Sequence, residues 1–495
     1  MDKEAANLLK NCSGLHIHFV GIKGTGMAAL VEILYARNAK ITGSDVSERF
    51  YTDSILEKYQ ITALPFSEKN ISEDVKLVIY SSAYNPDTNP DLKAALKCKI
   101  PMLLYSEALG AISSASNAYS VGVCGVHGKT TTTGLVGTLL KAVNLNAQVL
   151  AGSIISSFGD SCTMTAKAFD SEKKHYFVAE TCEYQRHFLA FEPQKIILTS
   201  VESDHQDYYP TFTDIQAAFV DYICKLPPHG QVFYCADDSG ASQTIEIVLK
   251  RRADIQAIPY GTNAKGDYKI VFGDCKNGFQ FFTIDAIGEC ALCVPGDHMV
   301  RNAAASVALC LELLREDKKD SRLYLDTIRT ALRSFTGGKR LSEIIGRAKT
   351  KMGKEVIFID DYGHHPTAIK TTLSGYKNFY SNYKIIVDFM SHTYSRTLAL
   401  FTEFAQSFQD ADSVILNKIY ASARENPKDA NISGEDLALE TKKYHKDVYY
   451  CPEFEEATLK GIELLNKNTN SDGYIFVTMG AGNNWKVGQE ILKML

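Results

Sequence analysis

The chain has 495 residues, 45% apolar and 22% charged, which suggests three domains at about 150 residues each and excludes a disordered chain or a small disulfide scaffold. Lys and Arg number 53 against 58 Asp and Glu, a net charge of −5, which gives no basic field for nucleic acid and no charged tail. Twelve scattered cysteines form no framework and read as reduced thiols of a cytoplasmic protein. The opening MDKEAANLLKNCSG lacks the shape of a secretory signal, and no run reaches the ~18 apolar residues of a membrane span.

In chain order, IHFVGI (17–22) reads as a strand, MAALVEILYAR (27–37) as a helix and AKITGSD (39–45) as the next strand. VKLVIYSS (75–82) precedes a helical pattern from Pro90. The small, polar AISSASNA (111–118) marks a boundary, after which YSVGVCG (119–125) leads into TTTGLVGTLLKAV (131–143), then YFVAE (176–180) and KIILTSV (195–201). Between about 230 and 295 the strand-rich runs QVFYCA, YKIVFG, FQFFTID and CALCV predict an added β-sheet. A second boundary falls at FTGG (335–338), beyond which EVIFIDDYG (355–363), YKIIVDFM (383–390), DSVILNK (412–418) and GYIFVTMG (473–480) restart the alternation. Strands alternating with helices predict parallel α/β sheets, in domains 1–116, 117–335 and 336–495.

The strongest chemical signal is Gly125-Val-His127-Gly128-Lys129-Thr130-Thr131-Thr-Thr, set between a strand and a helix. A nucleoside triphosphate needs inward backbone N–H groups, which glycines permit, a lysine on its terminal phosphates and a hydroxyl on Mg²⁺. The helix N-terminus adds partial positive charge, and ATP is the expected ligand. Val123 stands where the common P-loop spacing has glycine. Glu180 and His205 follow strands of the same predicted sheet, whose carboxyl ends share one edge, so they can converge on the loop and complete a Mg²⁺ site. Asp204 and Asp207 are spare acids nearby, and alone Glu180 reads as a surface charge and His205 as a cap.

Gly21-Ile-Lys23-Gly24-Thr25-Gly26 lies between the first strand and helix, with Asp45 closing the next strand where a ribose hydroxyl would be bound. The order G-x-x-G-x-G departs from the dinucleotide fingerprint, so a nicotinamide cofactor is weakly supported. Two phosphate-type loops in one chain suit an enzyme that joins a nucleotide-linked substrate to something else using ATP. Three polar clusters end apolar runs in the last third: Asp360-Asp361-Tyr-Gly-His364-His365, His392-Thr-Tyr-Ser-Arg396 and Gly480-Ala-Gly-Asn-Asn484. Adjacent histidines on a strand would face opposite sides, so substrate hydrogen bonding is favoured over a shared metal. Arg396 suits a carboxylate or another oxyanion. Cys290 and Cys293 have metal spacing but no second pair, and read as structural.

In this order, HFVGIKGTGM, GVHGKTTTT, Glu180, His205, GDHMVRN, DDYGHHP and HTYSRT resemble the Mur ligase family over nearly the whole chain. The resemblance implies an N-terminal Rossmann-like nucleotide-binding domain, a central P-loop ATPase-type α/β domain with an extra β-sheet, and a C-terminal Rossmann-like α/β domain. It implies an ATP-dependent, Mg²⁺-requiring ligase that joins L-alanine to the carboxylate of UDP-N-acetylmuramate through an acyl phosphate, in cytoplasmic peptidoglycan precursor synthesis. DDYGHHP and HTYSRT carry that choice of activity within the family. Gly24, Thr25, Gly26, Asp45, Ser81 and Ser82 would hold the UDP-sugar, and His392 and Arg396 the substrates. Gly125, His127, Gly128, Lys129, Thr130, Thr131, Asn302, Arg340 and Asp361 would hold ATP, with Thr130, Glu180 and His205 on the metal. Lys129, Glu180, His205, His364, His392 and Arg396 would act in catalysis, His364 or His392 as the base. Departures are Lys23, Glu183 in a less acidic run, Met299, Leu341 after a lone Arg340, and Thr393. The alternatives are a sister ligase adding a preformed peptide, a nicotinamide-dependent oxidoreductase, and an ATP-binding regulator without turnover.

Overall fold

The β-branched run around Ile17 becomes His16–Val20, the middle strand of a five-stranded parallel sheet. Its order is Ala63–Leu64, Lys40–Ser44, His16–Val20, Leu77–Tyr80, Met102–Leu104, so the connections diverge on either side of His16–Val20. That divergence opens a crevice at the strand carboxyl ends, where Gly21–Gly24, Asp45 and Ser81 sit. The computed structural model describes residues 3–167, 169–206, 208–421, 425, 431–467 and 469–495, so the acid at 207 lies outside the described residues.

The second sheet has seven strands in the order Gln256–Tyr260, Gln231–Cys235, Lys195–Leu198, Ala118–Cys124, His175–Glu180, Ala147–Ile155, Ser161–Thr165. All neighbours are parallel except the last pair. Buried helices Lys129–Ala142 and Asp297–Glu316 share one core with one face of the sheet. The QVFYCA run belongs to this sheet, so the added sheet is smaller than predicted: Ile270–Lys276, Phe279–Ile284 and Gly288–Leu292, all antiparallel. The reason is register, since Gln231–Cys235 finds parallel partners on both sides. The third sheet runs Glu343–Lys349, Glu355–Asp361, Gly473–Gly480, Tyr383–Met390, Ser413–Leu416, Val448–Tyr450, with only the first strand antiparallel.

Element ends shift where caps decide them. The first helix after a glycine loop is Thr25–Tyr35, two residues earlier at each end than its apolar pattern suggests. The helix after the second loop begins at Lys129 itself. Of the polar stretch 111–118, the first three residues complete helix Tyr105–Ser113 and Ala118 opens the next strand.

Helix Thr25–Tyr35 docks against the antiparallel edge of the seven-stranded sheet. Buried Glu32 accepts from Ser161 Oγ at 2.6 Å and Thr163 Oγ1 at 3.2 Å, and Arg37 Nε donates to Gln148 Oε1 at 3.0 Å. These contacts run between the first and second sheets inside a shared apolar core.

In the third sheet the fully buried Asp388 accepts from Asn417 Nδ2 at 3.0 Å and Asn484 Nδ2 at 3.1 Å. The Oδ1 atoms of both asparagines are buried without a hydrogen-bond donor. Burial raises this carboxyl to about 7 against the opposing asparagine bonds. A folded pKa above the unfolded value means the folded chain holds the extra proton, so stability falls as pH rises between the two. Asp388→Asn is therefore expected to gain stability over the parent steadily from about pH 4 to about pH 7 and to hold that gain at higher pH. Denaturation followed by the single tryptophan, Trp485, at the start of the adjoining helix, measures it; a pH-independent difference would refute the protonated state.

Candidate active site

The seven-stranded sheet places Ala118–Cys124 between Lys195–Leu198 and His175–Glu180, so the glycine loop is flanked by Thr199–His205 on one side and Glu180 on the other. Gly125 has φ +134°, and a Cβ there would overlap Thr199 Oγ1. Gly128 has φ +81°, and its Cβ would lie 2.8 Å from Asn302 Oδ1. Both conformations are open to glycine and strained for other residues. Asn302, on helix Asp297–Glu316, is thereby brought against the loop.

Lys129 curls back over its own loop, donating to Gly125 O at 2.6 Å and Val126 O at 3.2 Å, and pairs with Glu183 at 3.0 Å. Burial alone would lower the lysine's pKa; the carboxylates of Glu183 and Glu180 outweigh it and raise it. Glu183 is only 2% exposed, and the lysine together with His205 overcomes burial to hold its carboxyl below the usual range. Thr130 Oγ1 donates to Glu180 Oε2 at 2.8 Å, and the Gly152 amide donates to the same oxygen at 2.8 Å. Burial raises the Glu180 carboxyl, opposed by Lys129 and these two donors. His205, at φ +54°, lies 3.5 Å by its Nε2 from Glu183 Oε1, so its contact is with Glu183 rather than Glu180. Thr131 is buried in the first helical turn, and His127 N donates to Ser200 Oγ at 2.9 Å.

The third sheet closes this cleft of about 660 Å³ from above, contributing Ser342, Asp361, His364 and His365 to its lining. Arg396 Nη2 bonds Asp204 Oδ1 at 2.8 Å, a pair with both side chains under a tenth exposed, and Arg396 Nη1 meets His392 Nδ1 at 3.3 Å. His392 stacks on Tyr420 at 5.8 Å and stands edge-on to His364 at 5.9 Å. Burial, then Arg396, lowers His364 to about 3, so its ring is neutral at physiological pH. Arg340 (φ +56°) donates to Asp360 Oδ2 at 2.8 Å and to Gly480 O at 2.7 Å, joining two strand ends. Asp361 accepts from the Ser342 and Gly363 amides, each at 2.8 Å, and burial raises it to about 6. His364 and His365 leave the strand before they occur: the strand ends at Asp361 and His365 caps helix Pro366–Phe379. Both line the same cleft, His364 beside the His392 ring and His365 beside the His127 ring.

None of Gly24, Thr25, Gly26, Asp45, Ser81 and Ser82 lines this cleft. They occupy the first sheet's crevice, where Asp45 accepts from Lys23 N at 2.7 Å, Val46 N at 2.8 Å and Tyr84 Oη at 2.9 Å. The out-of-pattern Lys23 pins the following loop through Val46 O at 3.0 Å and Glu48 O at 2.8 Å. Thr25 bonds Tyr51, a Gly26 Cβ would sit 2.7 Å from the Tyr105 ring, and Gly24 N donates to Gly21 O at 3.2 Å. Ser81 N donates to Val20 O at 3.1 Å, and Ser82 is exposed. Cys290 and Cys293 are free thiols bonded to different carbonyls, Gly288 O and Phe335 O.

Sequence reasoning gave no role to Glu183 or Glu202, and gave His365 only hydrogen bonding to a substrate. The signal for Glu183 was its place three residues past Glu180 in the same loop. The partners of Glu202 and His365 come from different sheets, and no spacing encodes them.

A glycine loop with a half-buried, carboxylate-paired lysine, covered by a third domain, defines an α/β enzyme that handles a nucleoside triphosphate. Three family models match along the chain: the Mur ligase family catalytic domain over residues 16–117, the Mur ligase middle domain over 123–310, and the Mur ligase glutamate ligase domain over 343–482. The chain belongs to the Mur ligase family. It is 46% identical over 485 residues to UDP-N-acetylmuramate–L-alanine ligase of Treponema pallidum, covering 97% of each chain. To the same-named protein of Desulfitobacterium hafniense it is 37% identical, over 97% of this chain and 99% of that one. Among solved structures, the fold matches UDP-N-acetylmuramate-alanine ligase of Thermotoga maritima with TM-score 0.72 at 24% identity, over 97% and 99% of the two chains. It also matches a murein peptide ligase of Psychrobacter arcticus with TM-score 0.63 at 20% identity, over 97% and 98%.

Gly152 has no room for a side chain, because its Cβ would overlap Glu180 Oε2. Gly152→Ala is expected to displace that carboxylate from Thr130 and lower ATP-dependent turnover by about tenfold or more. Steady-state kinetics beside a melting curve would read it; unchanged turnover would show that the Thr130–Glu180 contact does not matter.

Proposed function

We propose that the chain joins L-alanine to the carboxylate of UDP-N-acetylmuramate at the expense of ATP, forming ADP and phosphate, as a cytoplasmic step of peptidoglycan precursor synthesis. The single observation that carries this reading is near-full-length identity of 46% to a protein named for that reaction, in a chain whose loop geometry suits ATP. Family membership sets aside the nicotinamide-dependent oxidoreductase. Among the described residues, no helix is long and apolar enough to cross a membrane.

In this reading residues 1–116 present the UDP-sugar, 117–335 hold ATP, and 336–495 close over it with the amino acid. A carboxylate acylates poorly because oxide would have to leave. Its oxygen attacks the γ-phosphorus of ATP, ADP departs, and the acyl phosphate now carries phosphate as leaving group. The free amine of alanine attacks the carbonyl carbon, the carbon–oxygen bond to phosphate breaks, and the amine's proton is lost.

Lys129 swings from its loop carbonyls and Glu183 to the terminal phosphates, where its charge offsets that of the transferring group. The Thr130 hydroxyl and Glu180 carboxylate are hard oxygen donors 2.8 Å apart, a set that fits Mg²⁺, with His205 close by on Glu183. When bound there, Mg²⁺ supplies positive charge to the phosphates. Gly125, His127, Gly128 and Thr131 shape the phosphate cradle, Asn302 faces the base, and Asp361 lies along the nucleotide. Arg340 reaches the terminal phosphate by exchanging its Asp360 contact. Arg396 and His392 receive the substrate's carboxylate or phosphate. With its pKa held near 3, His364 orients the amine as a neutral acceptor and leaves proton removal to His392. In the N-terminal crevice, the glycine loop, Asp45 and the Ser81–Ser82 pair face the uridine nucleotide. Closure of the C-terminal domain keeps water from the acyl phosphate.

Purified protein with UDP-N-acetylmuramate and Mg-ATP is expected to release phosphate when L-alanine is added, and not when a preformed tripeptide is added. Lys129→Ala is expected to lower that rate by about 10²–10³. Release with the tripeptide alone would assign the sister activity, release with neither a regulator without turnover, and a near-normal Lys129→Ala rate would refute the phosphate role.

A further inference from the structure

His127, Glu202 and His365 form a cluster in which the reaction as derived above gives Glu202 and His365 no part. One ligand atom from each lies within 4.8 Å of the others, with His127 Nε2 3.8 Å from Glu202 Oε2. The two rings face each other at 4.8 Å between centroids, tilted by 51°. His127 comes from the phosphate loop, Glu202 from the segment after Lys195–Leu198, and His365 from the cap of helix Pro366–Phe379. The cluster therefore spans the second and third sheets.

Two polar atoms here are buried and unsatisfied: Nε2 of His127 and Nε2 of His365, the latter on a side chain 94% buried by its 6% exposure. A desolvated imidazole nitrogen without a partner forgoes the hydrogen bond it would make in water. One such atom is a local defect, but two beside a carboxylate form a set of donors. Burial, followed by the His127 ring, depresses the His365 pKa, so its ring is neutral at neutral pH, with the Nδ1 lone pair on the Thr367 amide and the proton on Nε2. Thr367 supports the arrangement from one side, its hydroxyl donating to Glu202 Oε2 at 2.9 Å and its amide to His365 Nδ1 at 3.3 Å.

We propose that His127, Glu202 and His365 bind a first-row transition cation of the zinc class, bridging the phosphate loop to the C-terminal domain. Two imidazoles and one carboxylate suit such a cation, whereas Mg²⁺ prefers an all-oxygen shell with bound water. Three protein ligands leave a fourth position open to the cleft. Ligand atoms of a tetrahedral site at ~2.1 Å stand about 3.4 Å apart, so side-chain movements on the order of 1 Å close the set. Capture through Nε2 requires His365 to move its proton to Nδ1, exchanging the long contact from the Thr367 amide; no net proton is released. The site is separate from the Thr130–Glu180 pair, and its ligands tie together two domains that must part for nucleotide exchange.

The test uses the full-length protein and Co²⁺ as a spectroscopic probe, with Zn²⁺ as competitor. One equivalent of Co²⁺ is expected to give the visible bands of a four-coordinate centre without the near-ultraviolet band of a thiolate ligand. Zn²⁺ is expected to displace it, excess Mg²⁺ is not, and Zn²⁺ is expected to raise the melting temperature. His365→Gln and Glu202→Gln are each expected to weaken binding by at least about tenfold and remove the thermal shift, with Glu180→Gln leaving both intact. Circular dichroism and melting without metal show whether each variant folds, and the two separate variants keep the test decisive if one does not. A thiolate band would place the cation on cysteines, and loss of binding in Glu180→Gln would place it at the phosphate site. Either result, unchanged affinity in the folded variants or the absence of binding would overturn the proposal. Every readout is binding or stability, so the result does not depend on which amino acid the enzyme ligates.

Discussion

The ion pair between Lys129 and Glu183 is the interaction around which the catalytic cleft is arranged. A lysine this buried would lose its proton or its place without a carboxylate, and Glu183, at 2% exposure, would be equally costly without the lysine. The pair is held in register by parallel strands on both sides of Ala118–Cys124, and it draws in His205. It is also a reserve of charge. In the mechanism proposed above, triphosphate takes the lysine from Glu183, and the glutamate keeps His205 as a neighbour at 3.5 Å. The glycines of the loop adopt positive φ at Gly125 and Gly128, and the lysine donates to the Gly125 carbonyl.

A second pair sets how the domains meet. Arg396 on the third sheet and Asp204 on the second are joined at 2.8 Å with little solvent around them, and burial of such a pair makes separating it expensive. Arg340, close to the start of that third sheet, is occupied with Asp360 and Gly480 O and so shapes the edge that descends on the cleft. By contrast, the first sheet is anchored through Glu32 and Arg37 inside a shared core, which makes it a stationary platform. In the mechanism proposed above, closing motion belongs to the C-terminal domain, which meets the cleft through polar contacts such as Arg396 with Asp204 and Thr367 with Glu202. Polar pairs exchange partners with substrates; an apolar core does not.

Much of this was legible in the sequence because it is local. Strand, glycine loop and helix follow one another within a few residues at Gly125–Thr131, and period and glycine placement suffice to read them. Convergence of Glu180 and the 199–205 segment on that loop follows from the rule that parallel strands end on one edge. Where the reading slipped, competing partners were the cause. Gln231–Cys235 looks like any β-run, and only its two parallel neighbours assign it to the larger sheet. His364 and His365 looked like strand residues, but the strand ends at Asp361.

The amino-acid sequence by itself determined the class of each module, the glycine loop between strand and helix and the order of the polar clusters, because these depend on spacing along the chain. Tertiary structure alone decided which polar groups meet: Lys129 with Glu183, Arg396 with Asp204, and His365 beside His127 and Glu202. The last two couplings join residues more than 150 positions apart. Electrostatic energy depends on distance through space and on local burial, and neither is written in the order of the residues.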